Sequence, residues 1–236
     1  MDTSILKNKK VLITAGPTKE AIDPVRYISN HSSGKMGFAI ANVFLQLGAE
    51  VVMITGPTSM KLEHDRLFIA DVNSASEMYL ACCQYFESAD IAVFAAAVAD
   101  YRPEKIADQK IKKMNDSFVI KMVKNMDIAY EFGKIKTPGQ ISVGFALETN
   151  DELNHAVSKL NKKNFDMVVL NSMNDANATF GYDTNKISII KKNGLQKNFS
   201  LKNKNEVARD IVNEVELVLL ENNYETVRAE RLQYFN

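Results

Sequence analysis

Short β-branched apolar runs alternate with longer stretches of helical spacing along most of the chain. "KKVLITAG" is a compact apolar run ending in glycine, which predicts a buried strand. "GKMGFAIANVFLQLGA" follows with apolar residues spaced for one helix face. Ser32 or Ser33 is placed to cap its start, and Gly48 to end it. "EVVMITGPT" predicts a second strand and repeats the strand-then-Gly-Pro-Thr pattern of "VLITAGPT". "LFIADV" predicts a third strand. "SASEMYLACCQYFES" predicts a helix capped by Ser74 or Ser76, and "DIAVFAAAVAD" a fourth strand running into small residues. "SFVIKMV", "QISVGFALET" and "FDMVVLN" predict further strands, with helices over "DIAYEFGKI" and "DELNHAVSKLNKKN". The polar, lysine-rich "YRPEKIADQKIKKMND" reads as a mobile loop. Near the end, "KISIIKKNGLQKNFSL" reads as a hairpin turning at Lys192–Asn193–Gly194, before a closing amphipathic helix. The fold class is therefore α/β: a Rossmann-like, doubly wound, mainly parallel sheet with a late antiparallel hairpin. No linker divides it, so residues 1–236 read as a single domain.

Composition narrows the function classes. With 46% hydrophobic residues in 236, the chain can bury a sizeable core. Lys+Arg and Asp+Glu both number 29, so no global charge argues for nucleic acid or a membrane surface. The two cysteines, Cys82 and Cys83, are adjacent, which suits neither a disulfide framework nor a zinc site. "MDTSILKNKK" has no apolar signal core, and no apolar run is long enough to span a bilayer. The expectation is a soluble, cytoplasmic protein.

The chemistry gathers in four stretches. "ITAGPTKEAIDPVRYISNHSSGKMG" opens like a dinucleotide loop, and a helix N-terminus beyond a strand end suits an anion. Gly16 and Gly34 allow close backbone approach, and Ser32 and Ser33 add hydroxyls. A nicotinamide cofactor would want G-x-G-x-x-G and an acid after the second strand, where Thr55–Gly56–Pro57 stands instead. No G-x-x-x-x-G-K-[ST] occurs, so a P-loop is excluded. Within the insertion, Arg26 either pairs with Asp23 in an Asp-Pro turn or forks onto a ligand carboxylate or phosphate. Asn30 offers a neutral amide to an acyl oxygen or oxyanion, while His31 alone is weak evidence for acid–base chemistry.

In "FAAAVADY", the small residues either pack closely or leave room for a flat ring. Asp100 is then either a cap or a ribose partner. "KIADQKIKK" carries Lys105, Lys110, Lys112 and Lys113, a solvated face or a lid over a polyphosphate. Lys159 and Lys163 are four apart and share a helix face, where an anion between them would relieve their repulsion. Together these suggest a nucleoside triphosphate held without a P-loop.

"ITAGPTKEAIDPVRYISNHSSGKMGFAIA", "AAAVADYRP", "KIKK", "KMVKNMDI", "VGFALETN" and "KLNKKN" resemble the phosphopantothenoylcysteine synthetase family, from Lys9 to about Leu220. The resemblance implies a ligase of coenzyme A biosynthesis. It would activate 4′-phosphopantothenate with CTP and Mg²⁺ as an acyl-cytidylate, releasing pyrophosphate, then pass the acyl group to L-cysteine with release of CMP. It further implies that Asn30 stabilises the acyl-cytidylate, Arg26 shapes the same site, and Lys110 is a mobile charge over the reacting phosphates. Phe94, Ala95 and Ala96 would line the cytosine pocket and Asp100 would bind the sugar. Asn125, Met126, Asp127, Ile128, Phe145, Lys159 and Lys163 would complete the CTP site. Met126 stands where the family usually has proline, which loosens that turn. Metal ligands are not identified. In many bacteria the family's domain follows a flavin-dependent decarboxylase, absent from this chain, so association with a separate decarboxylase is an expectation. The resemblance also implies a homodimer, with the hairpin near 186–200 as its expected contact.

Overall fold

The computed structural model describes residues 4–112, 117–172 and 182–233, with side chains through residue 224. Its strands and helices are, in chain order, β1 (Lys10–Ala15), β2 (Lys19–Ala21), β3 (Tyr27–Ser29), α1 (Lys35–Gln46), β4 (Glu50–Thr55), β5 (Leu67–Asp71) and α2 (Ala75–Tyr85). Then come β6 (Ile91–Phe94), β7 (Tyr101–Pro103), β8 (Met122–Lys124), α3 (Ile128–Ile135), β9 (Ile141–Glu148), α4 (Glu152–Lys162) and β10 (Met167–Ser172). The chain closes with β11 (Thr184–Asn185), β12 (Ile187–Lys191), β13 (Gln196–Asn198), β14 (Lys202–Asn203) and α5 (Lys204–Gln233).

Eight strands form one sheet in the order β13-β12-β10-β9-β6-β1-β4-β5. The run from β10 to β5 is parallel, and β12 and β13 add to it antiparallel. The doubly wound sheet and its late hairpin are thus present. The hairpin turns where Gly194 takes φ 86°, a left-handed conformation open to glycine, and donates its N–H to the Lys191 carbonyl at 3.0 Å. Central strands are apolar on both sides because both faces are covered. Val11, Ile13 and Val51 pack with Ile40 and Phe44 of α1 and Ile211 and Val215 of α5. Leu12, Ile54 and Val168 pack on the other face with Met78 of α2, Phe132 of α3 and Leu160 of α4.

Local chemistry corrects several expectations. Neither Ser32 nor Ser33 caps α1. Its N-cap is Gly34 at φ 80°, with no side-chain cap, and the Ser32 hydroxyl instead accepts from the Gly34 N–H at 3.3 Å. Ser74, not Ser76, caps α2, its hydroxyl accepting from the Glu77 N–H at 3.2 Å. The loop expected from Tyr101 begins as β7, which pairs antiparallel with β8. The strand expected over "SFVIKMV" shrinks accordingly to its last residues, and Phe118 and Val119 lie exposed. Lys113 lies outside the described residues.

A hairpin of β2 and β3 stands inside the first motif, too short to show a strand period. It is fastened to α2. The buried Glu20 accepts from the N–H of Ala75, the first residue of that helix, at 2.9 Å, and Lys19 N–H donates to Asn73 at 2.7 Å. A carboxylate at a helix N-terminus satisfies a donor the helix leaves open and meets the positive end of its dipole. Glu20→Ala is therefore expected to cost about 1–2 kcal/mol. Urea denaturation should show that loss at an unchanged m-value.

Candidate functional site

β1 leads to β4 and β5 on one side, while β6 and β9 lie on its other side, so the strand order reverses between β1 and β6. Such a switch point opens a crevice beyond the carboxyl ends of the strands. Here the two loops are bonded across it. Ala97 N–H donates to Gly16 O at 2.9 Å, and Thr18 N–H to Ala97 O at 3.3 Å. Ala99 N–H donates to the Thr18 hydroxyl at 2.9 Å. Asn30 lies over this seam and donates from Nδ2 to Ala97 O at 2.9 Å. An amide nitrogen carries two protons, so one fixes the side chain and the other stays available.

Above the seam is a cavity of about 920 Å³. Asn30, Ser32, Ser33, Phe94, Ala95, Ala96, Asp100, Met126, Asp127, Phe145, Lys159 and Lys163 all line it, with Asn125 and Ile128. Three of the four sequence stretches thus meet in one place, and the lysine-rich stretch around Lys110 does not join them. Gly16 lies beneath the wall rather than on it: a Cβ on Gly34 would stand 3.3 Å from Gly16 Cα. Asn125 acts as scaffold, since Nδ2 donates to Ala99 O at 2.8 Å and Oδ1 accepts from Arg102 at 3.1 Å. Ile128 is the buried first residue of α3.

Lys163 Nζ is 2.8 Å from Asp127 Oδ1, and that carboxylate also caps α3 by accepting from Tyr130 N–H at 3.2 Å. Lys159 Nζ is 3.4 Å from both Glu148 Oε1 and Phe145 O. Each lysine of the pair therefore has its own acid, and the two are not left to repel each other.

Arg26 and Lys110 are not on the cavity wall. The Arg26 guanidinium grips Asp23 through Nε at 3.0 Å and through Nη2, which also donates to Ile111 O at 3.0 Å. The Asp23–Arg26 pairing is thus present, and Arg26 holds Asp23 far below the usual carboxylate range. Lys105, Lys110 and Lys112 are exposed.

The opposite wall holds residues that the motif reading passed over. Lys35 opens α1 and Lys204 opens α5, and both line the cavity. A lysine at a helix N-terminus opposes the dipole, and that is the signal by which both were findable. Lys35 Nζ is 2.6 Å from Asp183 Oδ1. Burial, followed by the charge of Lys35, lowers the pKa of Lys204 below the ordinary lysine range. Asn171 and Asn185 line the same side. Among the described residues, Asn171 Oδ1 is the buried side-chain polar atom that has no hydrogen-bond partner. Asn185 Nδ2 faces the Met36 sulfur at 4.0 Å. Free N–H groups, paired lysines and under-bonded amides suit an extended polyanion.

A doubly wound sheet with a lysine- and amide-lined cleft at its switch point defines a Rossmann-like α/β domain. The chain belongs to the family described as the DNA/pantothenate metabolism flavoprotein C-terminal domain, whose model matches residues 6–218. It is 47% identical over 210 residues to the coenzyme A biosynthesis bifunctional protein CoaBC of Haemophilus influenzae, covering 89% of this chain and 52% of that protein. It is 48% identical over 210 residues to a cysteine/cysteine sulfinic acid decarboxylase from an unknown prokaryotic organism, covering 58% of that protein. This chain spans about half the length of the CoaBC relative. Among solved structures, the C-terminal domain of a CoaBC superposes with TM-score 0.78 at 38% identity, covering 92% of this chain and 99% of that one.

Proposed function

We propose that this domain is a CTP-dependent ligase that joins 4′-phosphopantothenate to L-cysteine. The observation that carries the reading is the placement of lysines on both walls of one cavity, with the Asn30 amide between them. A carboxylate approaching a triphosphate meets like charge, and fixed cations offset that repulsion. The pantothenate carboxylate attacks the α-phosphorus. A C–O–P bond forms, the Pα–O–Pβ bond breaks, and pyrophosphate leaves. The cysteine amine then attacks the acyl carbon; a C–N bond forms, the acyl C–O bond to the phosphate breaks, CMP leaves, and the amine's proton passes to solvent. Asn30 directs its remaining N–H at the acyl oxygen in both steps. Phe94, Ala95, Ala96 and Phe145 surround the pyrimidine and Asp100 holds the ribose. Ser32, Ser33 and the α1 amides take phosphate oxygens, joined by Lys35 and Lys204 on one side and Lys159 and Lys163 on the other.

Mg²⁺ fits this donor set. Asp100 and Asp127 are the carboxylates on the wall, and among the described residues no three His, Cys, Asp or Glu side chains cluster to cage a metal. One or two carboxylates shared with phosphates is the usual arrangement for that ion. When bound, it neutralises phosphate charge.

Replacing both Lys159 and Lys163 by alanine is expected to weaken CTP binding at least ~30-fold, by analogy with two lost charge-assisted contacts. Calorimetry with CTP tests this, and unchanged affinity contradicts the reading. The lowered Lys204 adds a pH signature. Its charge is lost at a lower pH than that of an ordinary lysine, so CTP affinity is expected to fall as pH rises toward the ordinary lysine range. Lys204→Arg, whose guanidinium stays charged, is expected to flatten that fall.

We also propose a homodimer. The edge strand β13 of the 186–200 hairpin offers exposed Gln196, Lys197 and Asn198, whereas exposed Val25 sits in the β2–β3 turn, with exposed Phe118 under the Arg26 guanidinium and exposed Ile106 next to Ala107, which bonds Ile22. The apolar group has the character of a buried contact. Among the described residues no helix is long and apolar enough to cross a membrane.

A further inference from the structure

Asp23 is almost fully buried, 2% exposed, and accepts from five N–H groups. Oδ1 takes the Val25 and Arg26 backbone amides, each at 2.9 Å, and these two bonds are all that an Asp-Pro turn requires. Oδ2 is surplus to the turn. It takes the Arg26 side chain and, from 88 residues away, the Ile111 N–H at 3.1 Å. Arg26 completes the clamp by donating to Ile111 O at 3.0 Å, and Ala107 N–H donates to Ile22 O at 3.0 Å. Asp108, Gln109 and Lys110 therefore bridge two fixed points, both on the β2–β3 hairpin. That hairpin continues through β3 directly into Asn30, whose amide is fixed on Ala97.

We propose that Asp23 is a positioning residue of the ligase: its outer oxygen, through the Ile111 amide, fixes where Lys110 stands relative to Asn30. The proposal rests on the ligase reading above together with the expectation, implied by the family resemblance, that Lys110 is a mobile charge over the reacting phosphates; its backbone stands off the cavity wall. One hairpin then carries both groups, and Lys110 swings as a side chain from a fixed stem rather than on a free loop. Without the clamp, the stem would have to be ordered each time the transition state forms, and that cost would appear in turnover rather than in nucleotide binding.

Asp23→Asn tests the clamp selectively. The retained oxygen can still serve the turn amides, while the new NH₂ cannot accept from Ile111 and faces the Arg26 donors. Hydrogen exchange at residues 108–111 is expected to quicken. The kcat of pyrophosphate release is expected to fall about tenfold, with the KM for CTP changed less than about twofold. Ile111→Pro, which removes the same bond from its other end, is expected to do likewise. In a Lys110→Ala background, Asp23→Asn is expected to add no further loss, since both act through one group. Losses that multiply in the double variant, or unchanged turnover in Asp23→Asn and Ile111→Pro beside an impaired Lys110→Ala, would overturn the clamp alone. Full activity in Lys110→Ala would instead remove the role of Lys110, and the positioning proposal with it.

Discussion

Asn30→Asp is expected to make the acyl-cytidylate and then fail to use it. The substitution keeps the side chain's shape and removes its N–H donors. At 2.9 Å from the Ala97 carbonyl, a carboxylate oxygen meets another acceptor where the amide had a bond, so the side chain loses its anchor as well as its second proton. In the first step the lysines can still carry the phosphate charge. The second step develops negative charge on the acyl oxygen, where Asn30 is the donor assigned, and a new carboxylate there opposes it. Loss of one such donor costs roughly 100- to 1,000-fold in rate. Rapid quenching with mass spectrometry should therefore find acyl-cytidylate accumulating as cysteine-dependent turnover collapses. If the variant shows neither intermediate nor slowed turnover, the role given to Asn30 is wrong.

The second large effect is structural and sits under the same cleft. Gly56 follows β4, and a Cβ on it would stand 1.7 Å from the Pro17 carbonyl oxygen and 2.7 Å from its carbon. Both are backbone atoms, so no side chain can turn aside. Gly16 closes the other side of the contact at φ 71°, where its own Cβ would meet Gly56 O at 2.9 Å. Gly56→Ala must move the loop that bonds β1 to β6, and overpacking of this kind costs about 3 kcal/mol. For a chain of this length that is roughly 6–12 °C in melting temperature. CTP affinity should fall with it, because the displaced loop aligns Asn30 and the α1 N-terminus. Calorimetric melting near the wild-type temperature would show that the close approach is not a constraint.

The long elements were legible because β1, β4, β6, β9 and β10 are buried runs of a parallel sheet and α1 and α4 carry clear helical stripes. The short ones were not. β2, β3, β7 and β8 have three residues each, less than two periods of a strand. Asp-Pro in the first motif announced a turn, but nothing local shows that Asp23 reaches Ile111. The wall formed by β6, β9 and α4 was readable from its motifs. Lys204 carried only the faint signal of a lysine at a helix start, and Asn171 carried none, because long-range topology brings it to the same cavity as Lys35. Ser74 caps α2 as its spacing predicts, but the α1 cap failed for a different reason: Ser32 and Ser33 have the chemistry of capping residues, yet Gly34 leaves the α1 amides without a side-chain cap. A site for phosphate has use for that vacancy, and residue preferences alone do not distinguish it from an ordinary helix start.

Supplying CTP and 4′-phosphopantothenate to the purified chain, without cysteine, tests the central claim most directly. The account predicts about one equivalent of pyrophosphate per site in a rapid burst, an acyl-cytidylate detectable by mass, and CMP only after cysteine is added. Absence of pyrophosphate with CTP or any other nucleoside triphosphate would contradict it.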